Sequence, residues 1–473
     1  MAKLQIRNIT KKSLIYSIGT IISSLSTLLL IPIFSKYLLP SEYGKYELSY
    51  SLTFLIITIS FFETHITMLR FMYGIKNEDN LTKKQAIYSS AFFRTFSTIL
   101  LIGIGFIVSK ITYYPFEKVS LFFGFCFTSG LFYLNCARGF DKEYEYTTAF
   151  SIFHITNLIS NVIFLIFLKK GADTLFISLS LSYIAQIFYL EIKLKIISSF
   201  KRKYINFKLI RKMLKFSIPL AIAAVGIWIL QFYSNIRIVA LLGSRNNGLY
   251  TMALNFARSI PAFANGAIIA WEEIAFSVRG TNDEKNYYFS KIIGKVIVNL
   301  SCIYIVFIPF VRLIIPFYLD TSYHDIIVVV VIATAGRTID FFSLFLASIF
   351  GNQINSKPLM ISTSIGAVVD LLIINYMINK YGIIGAAISD CIGFIIVVLI
   401  RFFWLKFENN YNIQFMKITL FILISLIVGY LSVTLSYNHI FILLAISISI
   451  SSPILLSQPI MKIKEFIKMK LNK

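Results

Sequence analysis

Arg337 and Asp340 lie three residues apart inside an apolar run, a spacing that sets a guanidinium and a carboxylate on one helical face. Thr363, Gly366 and Asp370 share a face of the next run, and Asp390 follows Ala386 by one turn in the run after that. Earlier runs hold Glu63, His65, Arg94, Arg237 and Arg258. An ionisable group inside a bilayer costs about 2.5–3.5 kcal/mol on insertion scales, so such groups face a partner or a wet cavity. Arginine forks onto phosphate oxygens, which makes Arg94, Arg237, Arg258 and Arg337 candidate contacts for an anionic substrate. Carboxylates and histidine titrate or coordinate cations, so Glu63, His65, Asp340, Asp370 and Asp390 are candidates for ion coupling or for ion pairing. Two structural readings compete with these. Arg337 and Asp340 can simply neutralise each other, and Arg237, nearer a span end, can snorkel to the interface.

The elements that carry these residues follow from composition. The chain has 473 residues, of which 57% are hydrophobic and only 14% charged, with a mean hydropathy of +0.76, unlike a soluble domain with a polar shell. One crossing takes roughly 20 apolar residues. Apolar runs at 13–35, 47–72, 86–108, 118–139, 147–168, 174–195, 216–241, 249–273, 289–313, 325–350, 358–378, 383–404, 416–436 and 439–460 therefore read as about fourteen transmembrane helices. A closed β-barrel would show short alternating strands, and these runs are too long and too uniformly apolar for that.

The net charge of +23 does not form a soluble patch with interleaved aromatics, which argues against a nucleic-acid partner. It collects before the first run at Lys3, Arg7, Lys11 and Lys12, between the sixth and seventh runs in "KLKIISSFKRKYINFKLIRKMLK", and after Met461. With fourteen crossings these regions share one side, which the positive-inside rule assigns to the cytoplasm, with both termini inside. The pair Lys169 and Lys170 is an exception on the opposite side. The first run is long and lacks a small-residue cleavage pattern, as expected of an uncleaved anchor. Cys126, Cys136, Cys302 and Cys391 show neither metal-ligand spacing nor a disulfide framework, and no metal site is expected.

The two halves echo each other. "YSIG" at Tyr16 falls opposite "FSIP" at Phe216, and "LLPSEYGKYELSYSL" at Leu38 opposite "LLGSRNNGLYTMALNF" at Leu241, aligning Gly44 with Gly248. A weaker match sets Ala137 onward against Ile349 onward, and Gly171 against Gly382. Six crossings per half give parallel repeats about an axis along the membrane normal, a transporter signature in which two bundles rock around a central cavity. In the connectors, Pro40 or Gly243 is expected to stop the preceding helix, and Gly44 or Gly248 to permit a tight outer turn, as matched hinges. Ser13, Ser17, Thr20, Ser24 and Thr27 form one stripe on the first helix, suited equally to lining a cavity and to close helix packing.

The segment "IPIFSKYLLPSEYG" (Ile31 to Gly44), the half-chain repeat, the basic middle loop and the twelve-plus-two spans resemble the polysaccharide or O-antigen flippases of the multidrug/oligosaccharidyl-lipid/polysaccharide exporter superfamily. The resemblance implies an all-α polytopic membrane protein of MATE-like fold, with two six-helix bundles plus two extra C-terminal helices. The divisions expected are 1–195 and 216–405 for the two lobes, 196–215 for a basic linker and 406–473 for the extra helices and tail. It further implies that the protein is not an enzyme and moves undecaprenyl-pyrophosphate-linked oligosaccharide to the outer leaflet of a bacterial cytoplasmic membrane. Partners then expected are lipid-linked oligosaccharide, membrane lipids, a polysaccharide polymerase and chain-length machinery. No cofactor is expected beyond a coupling ion, sodium or proton. The last two spans, extra to the usual twelve, would form a side groove for the prenyl tail. Three rivals stand beside it. A multidrug antiporter of the same superfamily would favour carboxylates and aromatics in its cavity. A lipid II flippase differs only in its sugar. A membrane-embedded polymerase would need large outer loops, which are absent here, and no GxxxxGK[ST] phosphate loop occurs.

Overall fold

The computed structural model describes residues 2–73, 80–277, 281–352, 357–409 and 415–456. The basic tail after Met461 and the side chains of Ser13 and Ser17 lie outside the described residues. Every described element is helical, as a lipid environment requires, since a helix satisfies its own backbone donors and acceptors. Among the described residues ten helices are long and apolar enough to cross a membrane, or eleven if a bent pair counts as one crossing.

The first half comprises α1 (Ala2–Tyr37), α2 (Pro40–Phe61), α3 (Thr64–Tyr73), α4 (Asn80–Ile111), α5 (Glu117–Gly139), α6 (Glu143–Asn161) and α7 (Asp173–Leu194). Pro40 opens α2 at its first turn, where a missing N–H costs nothing and φ is already helical. The second expected crossing proves to be two helices, α2 and α3, bent by 48°. Phe62 and Glu63 cause the break by adopting positive φ, 48° and 52°, a conformation that stops a helix of L-residues. The Glu63 carbonyl then restarts the ladder by accepting from the amides of Ile66 and Thr67 at 3.2 Å.

The second half comprises α8 (Phe207–Trp228), α9 (Ser234–Leu242), α10 (Ser244–Ser277), α11 (Asn282–Tyr318), α12 (Ile327–Asn352) and α13 (Lys357–Asn409), followed by α14 (Phe415–Thr434) and α15 (Tyr437–Leu456). Asn206 caps α8 by accepting from the Leu209 amide at 3.1 Å, and Thr281 with Glu284 forms a reciprocal capping box on α11. The eleventh and twelfth expected crossings run on as α13, kinked at Gly382 (φ 61°, ψ −139°), a conformation that glycine adopts without a Cβ penalty. A π segment at Ile229–Tyr233 joins α8 to α9, and another extends α6 through Val162–Phe167.

Packing separates two bundles and an appendage. In the first half α1 packs on α6, α6 and α5 on α7, and α2 on α4 and α5. In the second, α12 packs on α10 and α13, and α8 and α9 on α13. The bundles meet mainly where α1 and α2 cross α10, while α14 and α15 lie against α11. Outward positions such as Ile99, Phe106, Phe188, Leu372 and Tyr430 are exposed apolar or aromatic groups, as lipid-facing surfaces are, because lipid tails do not penalise them.

Candidate functional site

The crossing of α2 and α10 corrects one expectation. Gly44 and Gly248 are not turn residues: each lies inside a helix, in α2 and α10 respectively. Their role is close approach. A Cβ on Gly44 would meet the Ser244 carbonyl and the Gly248 amide, and a Cβ on Gly248 would meet the Pro40 carbonyl. Asn247 closes the contact by donating from Nδ2 to the Gly44 carbonyl at 2.8 Å. The two halves of the repeat are thus pressed together, backbone to backbone, at their equivalent glycines. Further along α2, Trp228 Nε1 donates to the Ser51 carbonyl at 2.9 Å and Asn235 Nδ2 to Ser51 Oγ at 2.7 Å.

Beside this crossing lies a cavity of about 680 Å³, part of it open, between α1, α2, α6 and α7 of the first bundle and α10 of the second. Tyr43, Glu47 and Tyr50 reach it from α2, at the i, i+4, i+7 positions that share a helical face. Asn157 and Asn161 reach it from α6, and Asn255 and Arg258 from α10. A relay runs along the wall: Asn255 Nδ2 donates to Tyr43 Oη at 2.8 Å, and Tyr43 Oη to Glu47 Oε1 at 2.9 Å. Asn161 Nδ2 donates to Asn157 Oδ1 at 2.8 Å. Glu47 Oε2 and Asn161 Oδ1 are left without a hydrogen-bond partner, although Glu47 is only 5% exposed and Asn161 2%. Unpaired buried acceptors are costly, and where they border a cavity they point to a ligand or ordered water.

The four arginines do not converge. Arg258 lines this cavity. Arg94 is engaged by α5, donating to the Thr128 carbonyl and to Ser129 Oγ at 2.7 Å, with its guanidinium over Phe61 and Phe132. Arg237 donates from Nε to Asn375 Oδ1 at 2.7 Å in an exposed position. Arg337 is buried inside the second bundle, over the Phe394 ring and 3.8 Å from Asp340 Oδ2.

Around Arg337 the second bundle holds a polar network whose members bond mainly to one another. Gln231, in the π segment, donates to Asp340 Oδ2 at 3.3 Å, and the Gln231 carbonyl accepts from Arg337 at 3.5 Å. Asp390 accepts from Ser234 and Tyr250, and Asp370 from Ser389. Arg401, which the sequence reading passed over, donates to Ser362 Oγ at 3.0 Å and to the Ser343 carbonyl at 2.7 Å. Asp370 Oδ2 has no partner among the described residues. Glu63 and His65 are elsewhere again, 3.7 Å apart and both partly exposed at the break between α2 and α3. Of the first-helix stripe, Ser24 is buried and bonds back to the Thr20 carbonyl at 2.9 Å, whereas Thr27 lines the cavity.

A family model described as "Polysaccharide biosynthesis protein" matches residues 9–271. No curated protein sequence matches. Among solved structures, the chain is similar to the lipid II flippase MurJ in an inward closed conformation, with a TM-score of 0.69 and 16% identity over 93% of this chain and 98% of that one. It is also similar to an inward-facing multidrug resistance MATE family transporter of the MOP superfamily (TM-score 0.64, 14% identity, 83% and 98% covered). A third is a MOP superfamily transporter from Pyrococcus furiosus whose binding pocket is described as of reverse polarity (TM-score 0.63, 16% identity, 85% and 95% covered). At these identities the likeness shows the fold alone, an all-helical arrangement like that of the MATE and MurJ structures.

Proposed function

The chain belongs to the polysaccharide biosynthesis protein family, and from that premise we propose that it is a membrane flippase that carries undecaprenyl-pyrophosphate-linked oligosaccharide repeat units to the outer leaflet. The observation that supports this best is the cavity between the two bundles, where Arg258 offers a guanidinium for pyrophosphate oxygens beside a wall of asparagine and tyrosine. In this reading the Gly44–Gly248 crossing closes the outer end, and rocking of the bundles opens it while closing the cytoplasmic end. The basic regions at Lys3 to Lys12 and Lys193 to Lys215 would then face the cytoplasm of a bacterial inner membrane, with both termini inside. The chain does no covalent chemistry and acts before a polysaccharide polymerase and its chain-length machinery.

Coupling would come from a cation, sodium or proton, in the second bundle. Asp370, Asp390, Ser389 and Ser234 fit such a role, because Asp370 Oδ2 is buried without a partner and a cation supplies the charge that two neighbouring buried carboxylates lack. These residues hold the carboxylates in place through the Ser389 and Ser234 hydroxyls.

A second reading, export of a cationic drug, draws on Glu47, a carboxylate beside Tyr43, Tyr46 and Tyr50 in the cavity. Proteoliposomes separate the two. Movement of a labelled prenyl-pyrophosphate oligosaccharide between leaflets supports the flippase, and efflux of a cationic dye without glycolipid movement supports the antiporter.

A further inference from the structure

The two sides of the cavity differ in hydrogen-bonding sense. On the α10 side Arg258 brings only donors. On the side made by α2 and α6, the two groups left over are both acceptors, Glu47 Oε2 and Asn161 Oδ1. Tyr43 cannot relieve Glu47 further, since its hydroxyl hydrogen already points at Oε1 and its oxygen already accepts from Asn255. Whatever occupies this wall must therefore arrive with O–H or N–H groups. A phosphate or a carboxylate cannot supply them. The surrounding groups narrow the class further. Tyr43 and Tyr46 are buried and stacked on each other at 5.8 Å, whereas half-buried Tyr50, 6.0 Å from Tyr46, gives the cavity aromatic surface near the unpaired acceptors. A pyranose ring presents hydroxyl donors around its edge and an apolar C–H face, and meets both demands at once.

We propose that the Glu47–Asn161 wall is a sugar subsite, selective for a neutral or amino sugar and against a uronic acid as the ring seated there. This rests on the flippase reading and adds to it a division of labour. Arg258 takes the anionic pyrophosphate, and the wall across the cavity reads the sugar attached to it. Glu47 accepts two ring hydroxyls or one amide N–H more strongly than a neutral acceptor would, because charge-assisted bonds are the stronger ones. Selectivity against a uronate arises because its carboxylate adds acceptors and no donor to a wall already short of donors.

The test measures binding to the purified full-length protein by microscale thermophoresis. The probes are farnesyl pyrophosphate alone and farnesyl pyrophosphate carrying one N-acetylhexosamine or one hexuronic acid. In the native protein the N-acetylhexosamine should tighten binding roughly tenfold over farnesyl pyrophosphate, the effect of one or two well-placed hydrogen bonds, and the hexuronic acid should give no gain. Glu47→Gln, checked for a monodisperse fold, should reduce the N-acetylhexosamine gain to about twofold or less and remove the handicap of the hexuronic acid. Asn161→Leu should lose the same gain and serves if Glu47→Gln does not fold. An undiminished N-acetylhexosamine gain in either variant, or equal gains for both sugars in the native protein, overturns the subsite and leaves the flippase reading standing. Failure of farnesyl pyrophosphate to bind, or binding that is unchanged in Arg258→Ala, overturns the flippase reading and the subsite with it.

Discussion

The cavity wall and the interior of the second bundle contain similar residue types in opposite states. Around Arg337 a guanidinium, carboxylates, hydroxyls and Gln231 bond mainly to one another, whereas at the wall a relay from Asn255 through Tyr43 ends on Glu47 with one oxygen unused. A charge buried in an apolar helix is thus no sign by itself of a binding site. The contacts around Arg337 hold the bundle together, whereas the unused oxygens, Glu47 Oε2 at the wall and Asp370 Oδ2 deeper in the second bundle, mark where a ligand or cation can be recognised. Burial and partner count, not residue type, separate the two.

The comparison can be broken most severely from the closed side. Arg337→Ala leaves Asp340 uncompensated, and the loss of one partner of a buried pair costs about 3–5 kcal/mol, so thermal unfolding in detergent should begin well below that of the native protein. The double variant Arg337→Leu, Asp340→Leu should recover most of that loss, since replacing a buried pair with apolar groups is often neutral. If the single variant is as stable as the native protein, the network is not the staple described here.

On the open side, Arg258→Ala should leave the unfolding temperature nearly unchanged while weakening binding of a prenyl pyrophosphate roughly ten- to a hundredfold, the worth of a charge-assisted hydrogen bond of about 1.5–3 kcal/mol. Fluorescence titration checks it. Gly44→Ala inserts a methyl where the Ser244 carbonyl and the Gly248 amide now lie, at an overpacking cost of about 1–3 kcal/mol to this closed crossing. Spin-label distances across α2 and α10 should then show the crossing parted in a larger fraction of molecules. The smallest effect is expected of Arg237→Ala, which removes one exposed hydrogen bond to Asn375 and should change stability by within about 0.5 kcal/mol.

The apolar runs, the half-chain repeat and the Arg337–Asp340 spacing were legible because they depend on composition and helical period alone. The wall was not. Reading the stretch from Leu38 to Tyr46 as a connector, on account of its charge and glycine, hid the face formed by Tyr43, Glu47 and Tyr50, which appears only once α2 starts at Pro40. The signal was the proline itself, a first-turn residue, followed by polar groups at i, i+4 and i+7 spacing. Gly44 and Gly248 misled for a related reason. Glycine serves tight turns and close helix contacts alike, and only the crossing partner tells them apart. The break at Phe62 and Glu63 left no mark, since neither residue type favours positive φ. Arg401 could have been found by the same rule that singled out Arg337, being an arginine inside an apolar run.

The most direct test of the central claim, that the Arg258-lined cavity carries an anionic glycolipid, is transport itself. Native protein, Arg258→Ala and Arg237→Ala would be reconstituted in liposomes, and movement of a labelled prenyl-pyrophosphate oligosaccharide between leaflets followed, with a cationic dye as control cargo. The account predicts glycolipid movement by the native protein and Arg237→Ala, its loss in folded Arg258→Ala, and no dye efflux. Dye efflux without glycolipid movement, or full glycolipid movement by Arg258→Ala, would contradict it.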